Sequence, residues 1–263
     1  MDTDTAGRRL AGFFALACGI TWGLAFPAVE TMRRGGTATP IEMALLGLSA
    51  FGPLLSTLVI TIGTGERRDV FGPWRVRPQW IVLALLFPWF LQLIGRALSL
   101  GGGGPTGEWI YLPDTPAYLT ALVVFPLGEE FGWRGYAQPR MIARFGAVRG
   151  PLLLGCIWSI WHLMYLVSPQ SGTVEPVALV MFAALPLWSV VFAWLMRCAG
   201  GSMAVALCLH AGSHLDKIDR LPVDAVSTRV TIATVTAVAG LAAAFALHRE
   251  TQSSGTGREP SHS

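Results

Sequence analysis

Again and again the sequence returns to an apolar run: at residues 10–29, 41–63, 80–98, from 115 onward, and at 151–167, 176–196, 202–215 and 230–247. Most of these runs reach the roughly 20 residues that a helix needs to cross the hydrocarbon core of a bilayer. Inside lipid, every backbone N–H and C=O must be satisfied within the protein. The fold expected is therefore all-α, a polytopic membrane helix bundle of about eight transmembrane helices. Composition agrees: 13% of residues are charged and 52% hydrophobic, whereas soluble domains carry about 25% charged residues. The formal net charge of +3 is small. With no basic run interleaved with aromatics, nucleic acid is not an expected partner. Cys18, Cys156, Cys198 and Cys208 form no CxxC pair, which speaks against a disulfide framework or a cysteine zinc site and for buried thiols.

The runs divide the chain into N-terminal transmembrane helices at 1–114, a core at 115–215, a last helix at 216–250 and a disordered polar tail at 251–263. The run after Arg8-Arg9 is read as a retained anchor, since no small-residue cleavage site follows it. Gly101 to Gly104 lack the Lys-Ser/Thr continuation of a phosphate loop. With both termini on one side, thirteen of the 19 Lys and Arg fall on that side. The positive-inside rule then makes both termini cytoplasmic. Only Lys217 is Lys, against a background of Arg, which points to a bacterial source and its plasma membrane.

Ionisable groups at membrane depth are costly, rare and usually functional. Here they are Glu129, Glu130 and Arg134, then His162, then His210 and His214. Glu130 and Arg134 are four residues apart on one helix face and carry opposite charges, so a structural ion pair is expected. Glu129 points about 100° away, with no partner on its own helix, and is the better chemical candidate. At about 1.5 Å per residue, Glu129 reaches the level of His162 and His210 only if its helix continues past Arg134 to about Pro139. A lone His in a span is more often a helix–helix hydrogen-bond partner. Three His, two Glu and one Arg at similar depth share a reason, and a polar cavity is the simplest. Trp133, Trp158 and Trp161 beside this cluster either line a substrate groove or pack.

In their order, Glu129-Glu130-x-x-x-Arg134, Trp158-x-x-x-His162 and the segment opened by His210 resemble the three motifs of the CPBP family (Abi, type II CAAX prenyl endopeptidase-like) of intramembrane proteases. The resemblance covers roughly residues 115–215. It departs at two positions: Trp158 stands where the family usually has Phe, and His214 where it commonly has Asn. The resemblance implies a metalloprotease-type endopeptidase that hydrolyses peptide bonds of a membrane-associated peptide or protein. Glu129 with His162 would activate a water as general base, and His210 with His214 would stabilise the oxyanion. If a divalent metal such as zinc takes part, His162, His210 and His214 are the expected ligands. The same residues also read as a metal-independent glutamate protease, and both readings stay open. The partners implied are the substrate and membrane lipid, and oligomeric state stays open. The alternatives are a small ion- or proton-coupled transporter and a non-catalytic membrane scaffold. No paired halves of a transporter are visible, and the retained Glu129, His162 and His210 argue against the scaffold.

Overall fold

The computed structural model describes residues 3–64, 70–100, 116–165, 176–215 and 226–256. The apolar runs become helices: α1 (Thr3–Arg33), α2 (Pro40–Ser49), α3 (Gly52–Thr64), α4 (Pro78–Leu100) and α5 (Pro116–Glu130) in the first half. A π-helical segment (Phe131–Ala137) joins α5 to α6 (Gln138–Phe145). Then come α7 (Arg149–Trp161), a 3-10 turn (His162–Tyr165), α8 (Pro176–Cys198), α9 (Met203–Ser213) and α10 (Val226–Thr256). The protein is an all-helical membrane bundle.

Three described helices are long and apolar enough to cross a bilayer: Thr5–Arg33, Pro78–Ser99 and Thr228–Ser253. A fourth span results if α2 and α3, bent by 57° at their break, count as one. The expected count of about eight is therefore not reached by length and composition among the described residues. The helices that lead to the histidines, α7 and α9, are short. The run 151–167 stops being α-helical at Trp161, and α9 ends at Ser213. Irregular backbone at membrane depth is tolerated only where protein or a cavity surrounds it, and these ends are where the histidines sit. The last helix continues to Thr256, so the polar tail placed at 251–263 is helical over its first six residues. The Gly101–Gly104 loop, the 216–225 stretch and residues 257–263 lie outside the described residues.

Two glycines fix the helix that bears the carboxylates. A Cβ on Gly128 would lie 2.7 Å from the Ala50 carbonyl oxygen, and one on Gly132 would lie 2.5 Å from the Pro53 Cβ. Small residues let membrane helices approach closely; here they seat α5 and the π segment on the α2–α3 break. The expectation that the helix outlasts Arg134 holds, but the chain does not stop at Pro139. It runs on to Phe145. The wider π segment absorbs the junction, with the Gln138 N–H bonding back to the Trp133 carbonyl. Pro139 then falls in the first turn of α6, where its missing N–H leaves no bond unmade. All seven residues of the π segment are buried. Around them the core gathers Phe13 of α1, Trp161 of α7, Phe192 of α8 and Leu209 of α9. Phe26, Val82 and Phe245 face outward, as a hydrocarbon solvent allows.

Candidate active site

α5, the π segment, α7 and α9 deliver the polar residues to one place. Glu129 and Glu130 end α5, and both are buried. Arg134, one turn on, is 1% exposed, and its Nε lies 3.3 Å from Glu130 Oε2. The ion pair expected from the four-residue spacing is therefore present. Glu130 does more than hold Arg134, however. Its Oε1 accepts a 2.6 Å hydrogen bond from His210 Nδ1. A carboxylate accepts only, so Nδ1 carries the proton and His210 turns its Nε2 towards His214 Nε2 at 3.2 Å. The two imidazoles stack with centroids 5.1 Å apart.

Glu129 finds its partner on another helix. The indole N–H of Trp158 donates to Glu129 Oε2 at 3.0 Å. This contact was not foreseen, although its signal was visible: Trp at a position where Phe is usual supplies a donor that Phe lacks. His162, the C-cap of α7, lies 2.8 Å through Nδ1 from the Trp158 carbonyl. That carbonyl can only accept, so Nδ1–H donates and Nε2 is the acceptor of the ring.

The three tryptophans separate by role. Trp158 lines a cavity of about 190 Å³ together with His162, His210 and His214. Trp133 is fully buried and packs edge-on against Phe13 and Trp161. Trp161 is 1% exposed and donates to Thr21 Oγ1 at 2.9 Å. Of the three, only Trp158 lines this cavity, whereas Trp133 and Trp161 pack. The rest of the cavity wall is mostly apolar, with Leu91, Leu185 and Trp188 among its residues. Gln92 of α4, Ser213 and Thr236 are its other polar residues; Gln92 is 8% exposed, and its Oε1 has no hydrogen-bond partner among the described residues. Glu129 does not line the cavity. It lies behind Trp158 and His210, which do.

The side chains that converge tightly enough for a metal are not the three histidines. Among the described residues, that group is Glu129, Glu130 and His210, with one ligand atom from each within 4.8 Å of the others. His162 is turned to the Trp158 carbonyl and stands outside this trio, as does His214.

α1 also reaches the site from far along the chain. Trp22 Nε1 donates to the Trp161 carbonyl at 2.9 Å, across 139 residues. This carbonyl belongs to the last turn of α7, where helix carbonyls lack intrahelical partners. Thr21 Oγ1 accepts from the Trp161 indole and donates to the Ser49 carbonyl at 2.8 Å. The turn that presents His162 is thus clamped by α1.

Residues 112–215 match the family model for type II CAAX prenyl endopeptidase Rce1-like proteins. The CAAX prenyl protease 2 of Methanococcus maripaludis is 32% identical over 87 residues, which are 31% of this chain and 32% of that protein. The aligned stretch thus spans about a third of the curated relative's length. The matched region contains Glu129, Glu130, Arg134, Trp158, His162, His210 and His214, so the stretch that resembles type II CAAX prenyl endopeptidase Rce1-like proteins is the one that carries the buried ionisable groups.

Proposed function

We propose that this protein is a membrane-embedded endopeptidase, with Glu129 as the base that activates water and the histidines around the 190 Å³ cavity completing the reaction. One observation carries the reading. Glu129, Glu130 and His210 meet within 4.8 Å, and His210 opens that group onto a mostly apolar cavity shared with His162 and His214.

Glu129 takes a proton from water, and His162 Nε2 helps to orient that water. The hydroxide attacks the substrate carbonyl carbon, and the carbonyl oxygen becomes an oxyanion. The N–H held between His210 and His214 turns to this oxygen as the charge develops, in the role of an oxyanion hole. Glu130 holds His210 in the tautomer and orientation this needs. Collapse breaks the C–N bond, and Glu129 returns its proton to the leaving amine. An extended substrate at membrane depth must still satisfy its backbone N–H groups. Gln92 Oε1 accepts one of them, and the apolar wall takes an adjacent aliphatic side chain.

A divalent ion such as zinc fits the donor set of two carboxylates and one imidazole. Glu129, Glu130 and His210 would hold it, and it would polarise the carbonyl and acidify water when bound. Its retention by purified protein is expected to survive His162→Ala and to be lost with His210→Ala. Zinc lost equally from both variants would contradict this ligand set. The substrate is a peptide or membrane protein, the lipid bilayer is the medium, and both termini are cytoplasmic by the charge count.

The test is cleavage of a membrane-peptide library by the purified wild type, Glu129→Ala and His162→Ala in bilayer nanodiscs. Discrete cleavage by the wild type alone is expected. The same products at the same rate from all three proteins would refute the assignment.

A further inference from the structure

A second cavity, of about 390 Å³, lies on the other side of Arg134 and shares no lining residue with the first. One side of it is built where helices end. α8 stops at Cys198 and α9 starts at Met203, and Arg197 and Gly201 beside these ends line the cavity. The Arg197 side chain is 46% exposed, so this side lies at the level where a bilayer turns from hydrocarbon to headgroup. Further in, the polar residues are Arg134, at 1% exposure, and Gln138, at 4%. None of the lining residues is Asp or Glu.

Neither deep side chain is satisfied. The flat faces of the Arg134 guanidinium are covered, by the Trp158 ring with its centroid at 4.3 Å and by the Phe192 ring at 3.9 Å. Its Nε faces Glu130 at 3.3 Å, an ion pair without hydrogen-bond geometry. Nη1 and Nη2 have no acceptor among the described residues. What remains is the in-plane edge, which a guanidinium uses to hold a phosphate in two parallel hydrogen bonds. Gln138 spends its amide N–H on Met196 Sδ at 3.5 Å, and its Oε1 has no donor among the described residues. Arg197 is no competitor for an anion, because its charge is paired with Glu250 at 2.6 Å.

The unmet needs are an acceptor at Arg134 and a donor at Gln138, four residues apart. Charge narrows the choice of ligand. Glu130 already balances Arg134, so a lone anion would leave net negative charge in a buried place, at a cost in desolvation. A ligand that brings an anion and a cationic donor together leaves the balance unchanged. We propose that this cavity seats the headgroup of phosphatidylethanolamine, with its phosphate on Nη1 and Nη2 of Arg134 and its ammonium donating to Gln138 Oε1. Two carbons separate phosphate from ammonium, a short span that suits neighbouring side chains on one helix face. The glycerol and the first methylenes lie against Ile142, Met196 and Leu247. Phosphatidylcholine has the same charges but no N–H to give, and phosphatidylglycerol has the anion without the cation. The proposal does not depend on the peptidase reading, and its test reads lipid rather than cleavage.

Purified full-length protein is placed in nanodiscs of equal parts phosphatidylethanolamine, phosphatidylcholine and phosphatidylglycerol. Native mass spectrometry then counts the lipid that stays bound as the disc is stripped away. The wild type is expected to retain phosphatidylethanolamine at least about tenfold over either competitor, the factor that one charge-assisted hydrogen bond supplies. Gln138→Leu, folded by circular dichroism, is expected to retain phosphatidylethanolamine and phosphatidylcholine alike. In the wild type, N,N-dimethyl-phosphatidylethanolamine, which keeps one N–H, should be retained with the ethanolamine lipid and not with phosphatidylcholine. Equal retention of all three lipids by the wild type overturns the proposal. So does a preference that survives Gln138→Leu, or a dimethyl lipid that behaves as phosphatidylcholine does. Displacement of the bound lipid by inorganic phosphate or by a peptide free acid assigns the cavity to a lone anion and overturns it too.

Discussion

Trp158 shows how one side chain ties several groups together. Its indole N–H reaches Glu129, its carbonyl takes His162, and its ring covers Arg134. Trp158→Phe keeps the ring and the carbonyl and deletes the donor alone. We expect kcat to fall about tenfold, the worth of one hydrogen bond to a charged group, with KM and the thermal midpoint nearly unchanged. Steady-state kinetics and thermal unfolding on one preparation check this, and an unchanged kcat would take Trp158 out of the chemistry. Glu130 belongs to a different class. Both its side chain and that of Arg134 are fully buried, and removing one partner of such a pair costs about 3–5 kcal/mol. Glu130→Gln should therefore lower the unfolding midpoint well below that of Glu129→Gln, because Glu129 has no cation to strand. Equal midpoints would show that the Glu130–Arg134 pair does not hold the bundle.

At the level of helices, the glycines of α5 and the π segment decide where the carboxylates stand. Gly132→Ala would force its Cβ into Pro53, and overpacking of this kind costs about 1–3 kcal/mol. Gly19 in α1 has open space around its missing Cβ, so Gly19→Ala is expected to be neutral or slightly stabilising. A midpoint comparison of the two variants tests this, and similar shifts would contradict the close approach. The same scale shows what the sequence made legible. The long apolar runs announced the helices, and a four-residue spacing announced the Glu130–Arg134 pair. Depth alone put Glu129, His162 and His210 at one level, whereas the trio that meets is Glu129, Glu130 and His210. The π segment was not legible; its glycines, Gly132 and Gly135, lie against Pro53 and Val70, residues far away in the sequence. The end of α7 at Trp161 was missed for a related reason. Hydropathy reads 151–167 as one apolar run, whereas a turn at Trp161 and His162 is set by contacts from α1. The bond from Glu130 to His210 likewise links residues 80 positions apart, so no local pattern encodes it.

Across the whole molecule, the N-terminal helix lies outside the matched stretch at 112–215 yet holds the His162 turn in place. Trp22→Phe removes the bond to the Trp161 carbonyl. Its expected effect is a severalfold loss of kcat with a smaller change in KM, the loss of about one neutral hydrogen bond. Trp22→Leu, which also loses the ring, should lose more. Activity untouched in both variants would make α1 a mere packing partner. The claim on which the account turns is that Glu129 activates the water that cuts the peptide. The rate at which purified protein hydrolyses a library-selected peptide, wild type against Glu129→Gln, tests it most directly. A fall of at least about a hundredfold, the smaller end of what a general base contributes, is predicted while the variant remains folded and still binds the peptide. Hydrolysis by folded Glu129→Gln within a few-fold of wild type would contradict it.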